Sequence, residues 1–263
     1  MGISRGAVTG EYAGDRMDDL RVALDAADRA AELALAHHAA GVTATPKADG
    51  SPVTEADRAV ERLLRETLSA ARPGDAYLGE EFGASGGSDR VWILDPIDGT
   101  GYFSRGDPNW RIQIALDVRG TTEVAVVVAP ALRRCWWAAR GGGAFESAWP
   151  RDDSARRLAV STTATFADAV FDALDDASRA RFPPAAACTP VSPLPLVELV
   201  RGEIDAFLAE RYHTWDHAPW ILLVEEAGGR FTDRTGGHAS DRGGGLYSNA
   251  ALHDQLRTAL HYP

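Results

Sequence analysis

Residues 91–103 read VWILDPIDGTGYF. Val91 to Leu94 are apolar and rich in strand formers, so the run reads as a buried β-strand that ends on an acid. Asp95 and Asp98 then stand three positions apart, and Gly99 and Thr100 follow them. A strand that delivers two carboxylates to its own end builds in repulsion unless protons or cations neutralise it. The backbone carbonyl of Ile97 leaves the same turn, so three oxygen donors come from one short segment. Gly99 and Thr100 open a turn whose free N–H groups suit phosphate oxygens, and the Thr100 hydroxyl is placed to orient an attacking water.

On the N-terminal side, residues 1–14 read as a loose arm. Residues 18–41 carry Leu20, Ala23, Leu24, Ala27, Ala31, Leu33 and Leu35 at helical intervals, with Gly41 as C-cap. Residues 43–53, TATPKADGSPV, have the Pro, Gly and Ser of a mobile loop. A second helix starts with Thr54 as N-cap and Asp57 three residues on, the capping-box pattern, and Pro73-Gly74 stops it. From residue 76 the period shortens. AYLGEEFG, RVWILD, WRIQIALDV, TEVAVVVAP and RRCWWAAR read as strands of a largely antiparallel sheet. After about residue 150 helix and strand patterns mix, with a strand EIDAFLAE, a helix from Asp216 and a last helix over 249–260. The chain therefore divides into a half over 1–150, two helices plus an antiparallel sheet, and an α/β half over 151–263, packed as one compact unit of layered α+β class.

Acids cluster at the ends of these elements: Asp57, Glu80 with Glu81, Asp95 with Asp98, and Asp216. A ligand set made only of oxygens favours a hard cation, so Mg²⁺ is expected, with Mn²⁺ as the alternative; a zinc site would bring His or Cys. Cations so held lower the pKa of a water and stabilise a leaving alkoxide. The spacing D-x-x-D-G-T differs from the D-x-D-G-T of haloacid-dehalogenase phosphatases, whose first Asp is a covalent nucleophile. It indicates direct attack by water instead.

The totals set the frame. The 263 residues are 45% hydrophobic and 25% charged, with a formal net charge of -11, the composition of an ordinary globular protein. No general positive field exists to attract nucleic acid or an anionic membrane. The two cysteines, Cys135 and Cys188, are far apart and in no CxxC arrangement, which points to a reducing, cytoplasmic setting and inert thiols. The N-terminal segment lacks the apolar stretch of a signal peptide. No apolar run reaches the roughly 18 residues of a membrane span.

VTEAD, LGEEFG, WILDPIDGT and WDHAPWILLVEEAGGRF, in this order, resemble the inositol monophosphatase family from about residue 43 to 252. The resemblance implies an alternating α-β-α-β-α sandwich of the inositol monophosphatase and fructose-1,6-bisphosphatase type, two or three Mg²⁺ ions, lithium sensitivity and a homodimer. It makes Glu80, Asp95, the Ile97 carbonyl, Asp98 and Asp216 the metal ligands, with Asp57 acting through water or through contact with a ligand. Glu80 and Thr100 activate the nucleophile, Gly99 and Thr100 hold phosphate, and Lys47 lies on the mobile loop near a third metal. VVVAPALRRCWWAARGGGAF (126–145) resembles the family's actinobacterial histidinol-phosphatase branch.

The rim departs from the pattern. The family reads DGTxNF, whereas Tyr102 stands here in place of Asn, and Arg111 falls where a small residue is common. The stretch before Trp215 is one residue shorter than in the inositol enzymes, so Glu210 matches their substrate-binding Glu only if the loop shifts. Tyr212 and His213 read as further rim residues. The implied function is a Mg²⁺-dependent phosphomonoesterase for a small polyol, sugar or amino-alcohol phosphate, histidinol phosphate and inositol 1-phosphate being the named candidates. A sugar or cyclitol phosphatase of a secondary-metabolite pathway, a nucleotide 3'-phosphatase and a non-catalytic scaffold are the alternatives. A scaffold would be free to lose Glu80, Asp95, Asp98, Thr100 or Asp216, and all five are present. Plainer readings stand beside these: Asp57 as a cap, Glu81 as an exposed neighbour of Glu80, His217 as packing, Trp136 and Trp137 as sheet packing, and DALDDAS (172–178) as a solvated face.

Overall fold

The computed structural model describes residues 5–41, 43–47, 50, 52–189 and 192–262, with side chains from Asp15 onward. Helix α1 (Arg5–Ala40) runs for 36 residues, so residues 5–14 are helical where the sequence reading has a loose arm; residues 1–4 lie outside the described residues. No proline interrupts the segment, and a nucleated helix gains one hydrogen bond for each residue it adds. The helix closes at Gly41, whose φ of +73° suits glycine. A hairpin of two-residue strands follows, β1 (Thr45–Pro46) against β2 (Pro52–Val53). Helix α2 (Glu55–Ala71) opens on the capping box, with the Asp57 carboxylate accepting from Thr54 N and the Thr54 hydroxyl accepting from Ala56 N.

The large sheet is built from β3 (Ala76–Gly79), β4 (Gly83–Ser85), β5 (Arg90–Asp98), β6 (Arg111–Val118), β7 (Thr121–Ala129), β8 (Arg134–Ala139), β9 (Gly143–Ala148) and β10 (Arg156–Arg157). Its order is β10-β9-β8-β7-β6-β5-β3-β4, and the short helix α3 (Thr100–Ser104) lies between β5 and β6. All neighbours run antiparallel except β3 and β5, which are parallel. The reason is β4, which folds back along the outer side of β3, so the chain enters β5 in the direction of β3.

Period-two alternation then fills both faces. On β6 and β7, Ile112, Ile114, Leu116, Val124, Val126 and Val128 pack against α1 and α2. The intervening Ala125, Val127 and Ala129 share a second core with α5 (Pro195–Val200) and α6 (Thr214–Glu226). That core also takes Phe207, Phe231 and Tyr247 from the small sheet, whose strands are β11 (Val170–Ala173), β12 (Ala187–Cys188), β13 (Ala206–Ala209), β14 (Gly229–Asp233) and β15 (Gly245–Asn249). These lie in the order β12-β11-β13-β15-β14, with β11 parallel to β12 and β13 and the remaining pairs antiparallel. A third core, with Phe171, Leu208, Leu246, Leu252 and Leu256, covers its outer face and takes in α7 (His253–Ala259), while α4 (Asp176–Arg179) follows β11. The result is five layers, α-β-α-β-α.

Two local readings change. Asp172, read as part of a solvated face, is fully buried on β11. It accepts from Arg179 at 3.0 Å and from Ser192 N at 3.2 Å, and an ion pair of this kind lets a carboxylate go inside. The last helix begins at His253, because Asn249 is the end residue of β15.

Candidate active site

Asp95 and Asp98 are an odd number of residues apart, so on a regular strand their side chains would leave opposite faces. The ladder between β5 and β6 shifts register there: Asp95 pairs with Gln113 and Asp98 with Arg111, three steps on one strand against two on the other. This is a β-bulge, at a point where Pro96 has no N–H for the ladder. The extra residue turns both carboxylates to the face that carries Gln113 and Ala115, where α6 packs. Asp216, in the first turn of α6, arrives on the same side.

Gly99 makes the exit from β5. Its φ is +88°, and a Cβ there would lie 3.1 Å from Asn109 O and 3.3 Å from the Tyr102 ring. Any side chain at this position is both strained and crowded. The chain then enters α3, and the Thr100 hydroxyl falls 3.0 Å from Asp57 Oδ1 and 3.1 Å from Ile97 O. Asp57 is buried; its other oxygen accepts from Thr54 N at 2.8 Å and from the Thr54 hydroxyl at 2.6 Å. One capping box thus joins the start of α2 to the turn after β5.

Glu80 follows β3, and its N–H donates to Leu94 O on β5. Lys47, between the strands of the first hairpin, donates to Glu80 Oε1 at 2.7 Å and Glu81 Oε1 at 2.5 Å. The Glu81 carboxylate is buried by this contact. Asp98 accepts from Gln113 Nε2 at 2.7 Å and pairs with the Arg111 guanidinium. Asp216 accepts from His213 N at 2.7 Å, while its backbone carbonyl accepts from Gln113 Nε2 at 3.0 Å.

The electrostatics follow from this crowding. Burial pushes the Asp95 carboxyl well above the usual range, and Asp98, Glu80 and Asp216 add to the rise. Asp216 is raised to about 7 by burial and then by Asp98. Burial raises Glu80, opposed by Lys47, and raises Asp98, opposed by Arg111. Two like charges 4 Å apart at an effective dielectric near 20 repel by about 4 kcal/mol, so four ionised carboxylates cannot share the site without cations. Lys47 and Arg111 supply two.

Both oxygens of Asp95 are buried and without a hydrogen-bond partner. An ionised carboxylate with no donor is costly to bury, and a divalent cation is the partner that satisfies it. Among the described residues no three His, Cys, Asp or Glu side chains are drawn up as a finished cation cage, since Glu80 and Asp98 are turned to Lys47 and Arg111. The oxygen-only donors and the orphaned Asp95 oxygens fit Mg²⁺ or Mn²⁺.

Beside the carboxylates lies a cavity of about 300 Å³ bounded by Asp98, Gly99, Tyr102, Arg111, Ser192 and Tyr212, among others. Glu210 is turned away from it to Arg181, 2.5 Å distant. His213 is exposed and stacks on Trp215 with ring centroids 5.0 Å apart. His217 is buried, its Nδ1 2.5 Å from the Tyr247 hydroxyl and its Nε2 2.7 Å from Ser240 O. Burial lowers its pKa to about 4.

Two residues that sequence reasoning passed over complete the site. Gln113 spans from Asp98 to the first turn of α6; its signal was a polar side chain at an inward position of the alternating run RIQIAL. Glu61, fully buried on α2, accepts from Glu81 N at 2.7 Å and from Arg65 Nε at 2.8 Å, and so holds the turn that carries Glu80. Its signal was weaker, an acid on the apolar face of α2.

Known proteins match this chain over most of its length. The inositol monophosphatase family matches residues 15–261. A histidinol-phosphatase of Mycobacterium tuberculosis is 41% identical, the match covering 93% of this chain and 98% of that protein. A Streptomyces griseus protein named glucose-1-phosphate thymidylyltransferase is 40% identical over 83% of this chain and 87% of its own length. Among solved structures, a Thermotoga maritima IMPase superposes with a TM-score of 0.79 at 28% identity, covering 93% of this chain and 97% of that one. This chain is therefore a phosphatase of the inositol monophosphatase family.

Proposed function

We propose that the enzyme hydrolyses a small phosphorylated polyol, sugar or amino alcohol, with Mg²⁺ held by Glu80, Asp95, the Ile97 carbonyl, Asp98 and Asp216. The observation that carries this reading is the orphaned Asp95 carboxylate at the centre of the acidic group. When bound, the cations lower the pKa of a water and offset charge on the leaving oxygen.

The chain's own residues do the rest. The Gly99–Thr100 turn presents backbone N–H groups to the phosphate. The Thr100 hydroxyl donates its hydrogen bond to Asp57, so its oxygen keeps a lone pair with which to accept a hydrogen bond from the attacking water and align it. Glu80 is the second acceptor for that water, and Lys47 limits its charge until substrate enters. Tyr102, Arg111 and Tyr212 form the wall that the alcohol part meets, with His213 at its outer margin; Glu210 joins them only if its loop moves. Assembly as a homodimer belongs to the same proposal. No helix among the described residues is long and apolar enough to cross a membrane.

A sugar phosphate is the second reading, supported by the relative whose name includes glucose 1-phosphate. Phosphate release from histidinol phosphate, inositol 1-phosphate, glucose 1-phosphate and adenosine 3',5'-bisphosphate, with and without Mg²⁺, tests both. Release that needs Mg²⁺ supports the chemistry and ranks the substrates; no release from any of them, at any Mg²⁺ concentration, speaks against it.

A further inference from the structure

Arg111 begins β6 and reaches across to Asp98, while its Nη1 donates to Pro193 O at 3.1 Å. Its Nε is buried and has no partner. Among the residues lining the neighbouring cavity, Asp98 is the one carboxylate and Arg111 the one cation; Tyr102, Leu174, Ser192 and Phe207 are neutral. A guanidinium offers five N–H donors in a planar fork matched to carboxylate or phosphate oxygens.

We propose that Arg111 is a specificity-determining residue that reads a second anionic group, a carboxylate or a further phosphate, on the substrate. This rests on the reading of the site as a cation-dependent phosphatase. Arg111 and Gln113 both engage Oδ2 of Asp98; a divalent cation held by the other oxygen would share that charge and weaken the ion pair, and the Nε of the guanidinium has no partner in either case. An under-partnered charge at the wall of a neutral cavity takes up an anion. A neutral polyol satisfies the fork less well, and an ammonium group is repelled by it. Until the cation arrives, Arg111 serves as the counter-ion of Asp98 and competes with the cation.

Two measurements on the whole protein test this, comparing the native enzyme with Arg111→Met. In Mg²⁺ titrations by calorimetry the variant binds about tenfold more tightly, because the competing cation is gone. Phosphate release is measured on two matched pairs, 3-phosphoglycerate against glycerol 3-phosphate and fructose 1,6-bisphosphate against fructose 1-phosphate. The native enzyme favours the member with the extra anion by about tenfold in kcat/KM, chiefly through KM, in at least one pair. The pair that responds tells carboxylate from phosphate. In the variant that ratio falls toward one, and Arg111→Lys restores part of it. Unchanged Mg²⁺ affinity, native ratios near or below one in both pairs, or a ratio that survives in Arg111→Met overturns the assignment. No release from these four or from the histidinol, inositol and glucose phosphates named above speaks against the phosphatase reading beneath it, which is a different failure.

Discussion

The hydroxyl of Thr100 lies 3.0 Å from Oδ1 of Asp57, which ties the first turn of α2 to the turn that leaves β5. Forty-three residues separate the two in sequence. The contact gives the hydroxyl a fixed proton acceptor. Thr100→Val keeps the shape and removes the oxygen, so kcat should fall by about 10²- to 10⁴-fold with KM little changed. An unaltered melting temperature in the same sample separates this from unfolding. A variant within threefold of native kcat would show that Thr100 does not orient the nucleophile.

Asp95→Asn tests the centre of the acidic group. The native carboxylate is buried without a donor, so the neutral amide relieves repulsion from Asp98, Glu80 and Asp216. Without metal the variant should be at least as stable as native, and with Mg²⁺ it should lose activity by several orders of magnitude, on the order of 10³-fold or more. Steady-state rates and thermal melts in chelator read the two halves. Near-native turnover would remove Asp95 from the cation site.

Asp216 carries a pH signature. Its pKa is about 7 in the fold, against 3.8 for an unperturbed Asp. The folded state therefore holds the proton more tightly, and the metal-free protein loses stability as pH rises from about 4 through about 7. Asp216→Asn has no proton to lose. At pH 8 in chelator it should melt higher than native by roughly 5 °C, and the gap should narrow at pH 5. With Mg²⁺ the order reverses, because only the native protein gains the binding free energy. A metal-free native protein as stable at pH 8 as at pH 5 would contradict the raised pKa.

Gly79 has no space for a side chain. A Cβ there would stand 2.0 Å from Glu61 Oε1, and Glu61 is locked by Arg65 and Glu81 N. Gly79→Ala should cost about 3 kcal/mol in chemical denaturation. In a Glu61→Ala background the same change should cost under about 1 kcal/mol, since the obstructing carboxylate is gone. Equal costs in the two backgrounds would mean that the clash is not with Glu61.

Much of this protein is legible in the sequence because local rules act on short stretches. The Thr54–Asp57 capping box, the Gly41 cap and the alternation of RIQIAL and EVAVVV depend on neighbours a few residues away, and each appears in the fold. The motifs around Asp95, Asp98 and Asp216 carried the family for the same reason. Position 172 shows where such rules stop: an aspartate in an acidic run reads as solvated, and only the fold supplies the Arg179 that takes it inside.

What the sequence alone determined is which acids exist and that they stand at element ends. Only the tertiary structure decided that they meet, through the bulge that brings Asp95 and Asp98 to one face and the packing of α6 that brings Asp216 beside them. It also set their internal counter-ions, Lys47 and Arg111, and recruited Glu61 and Gln113. These are pairings over 13 to more than 100 residues of separation. A carboxylate's charge state depends on burial and on the nearest opposite charge, and neither is a property of adjacent sequence.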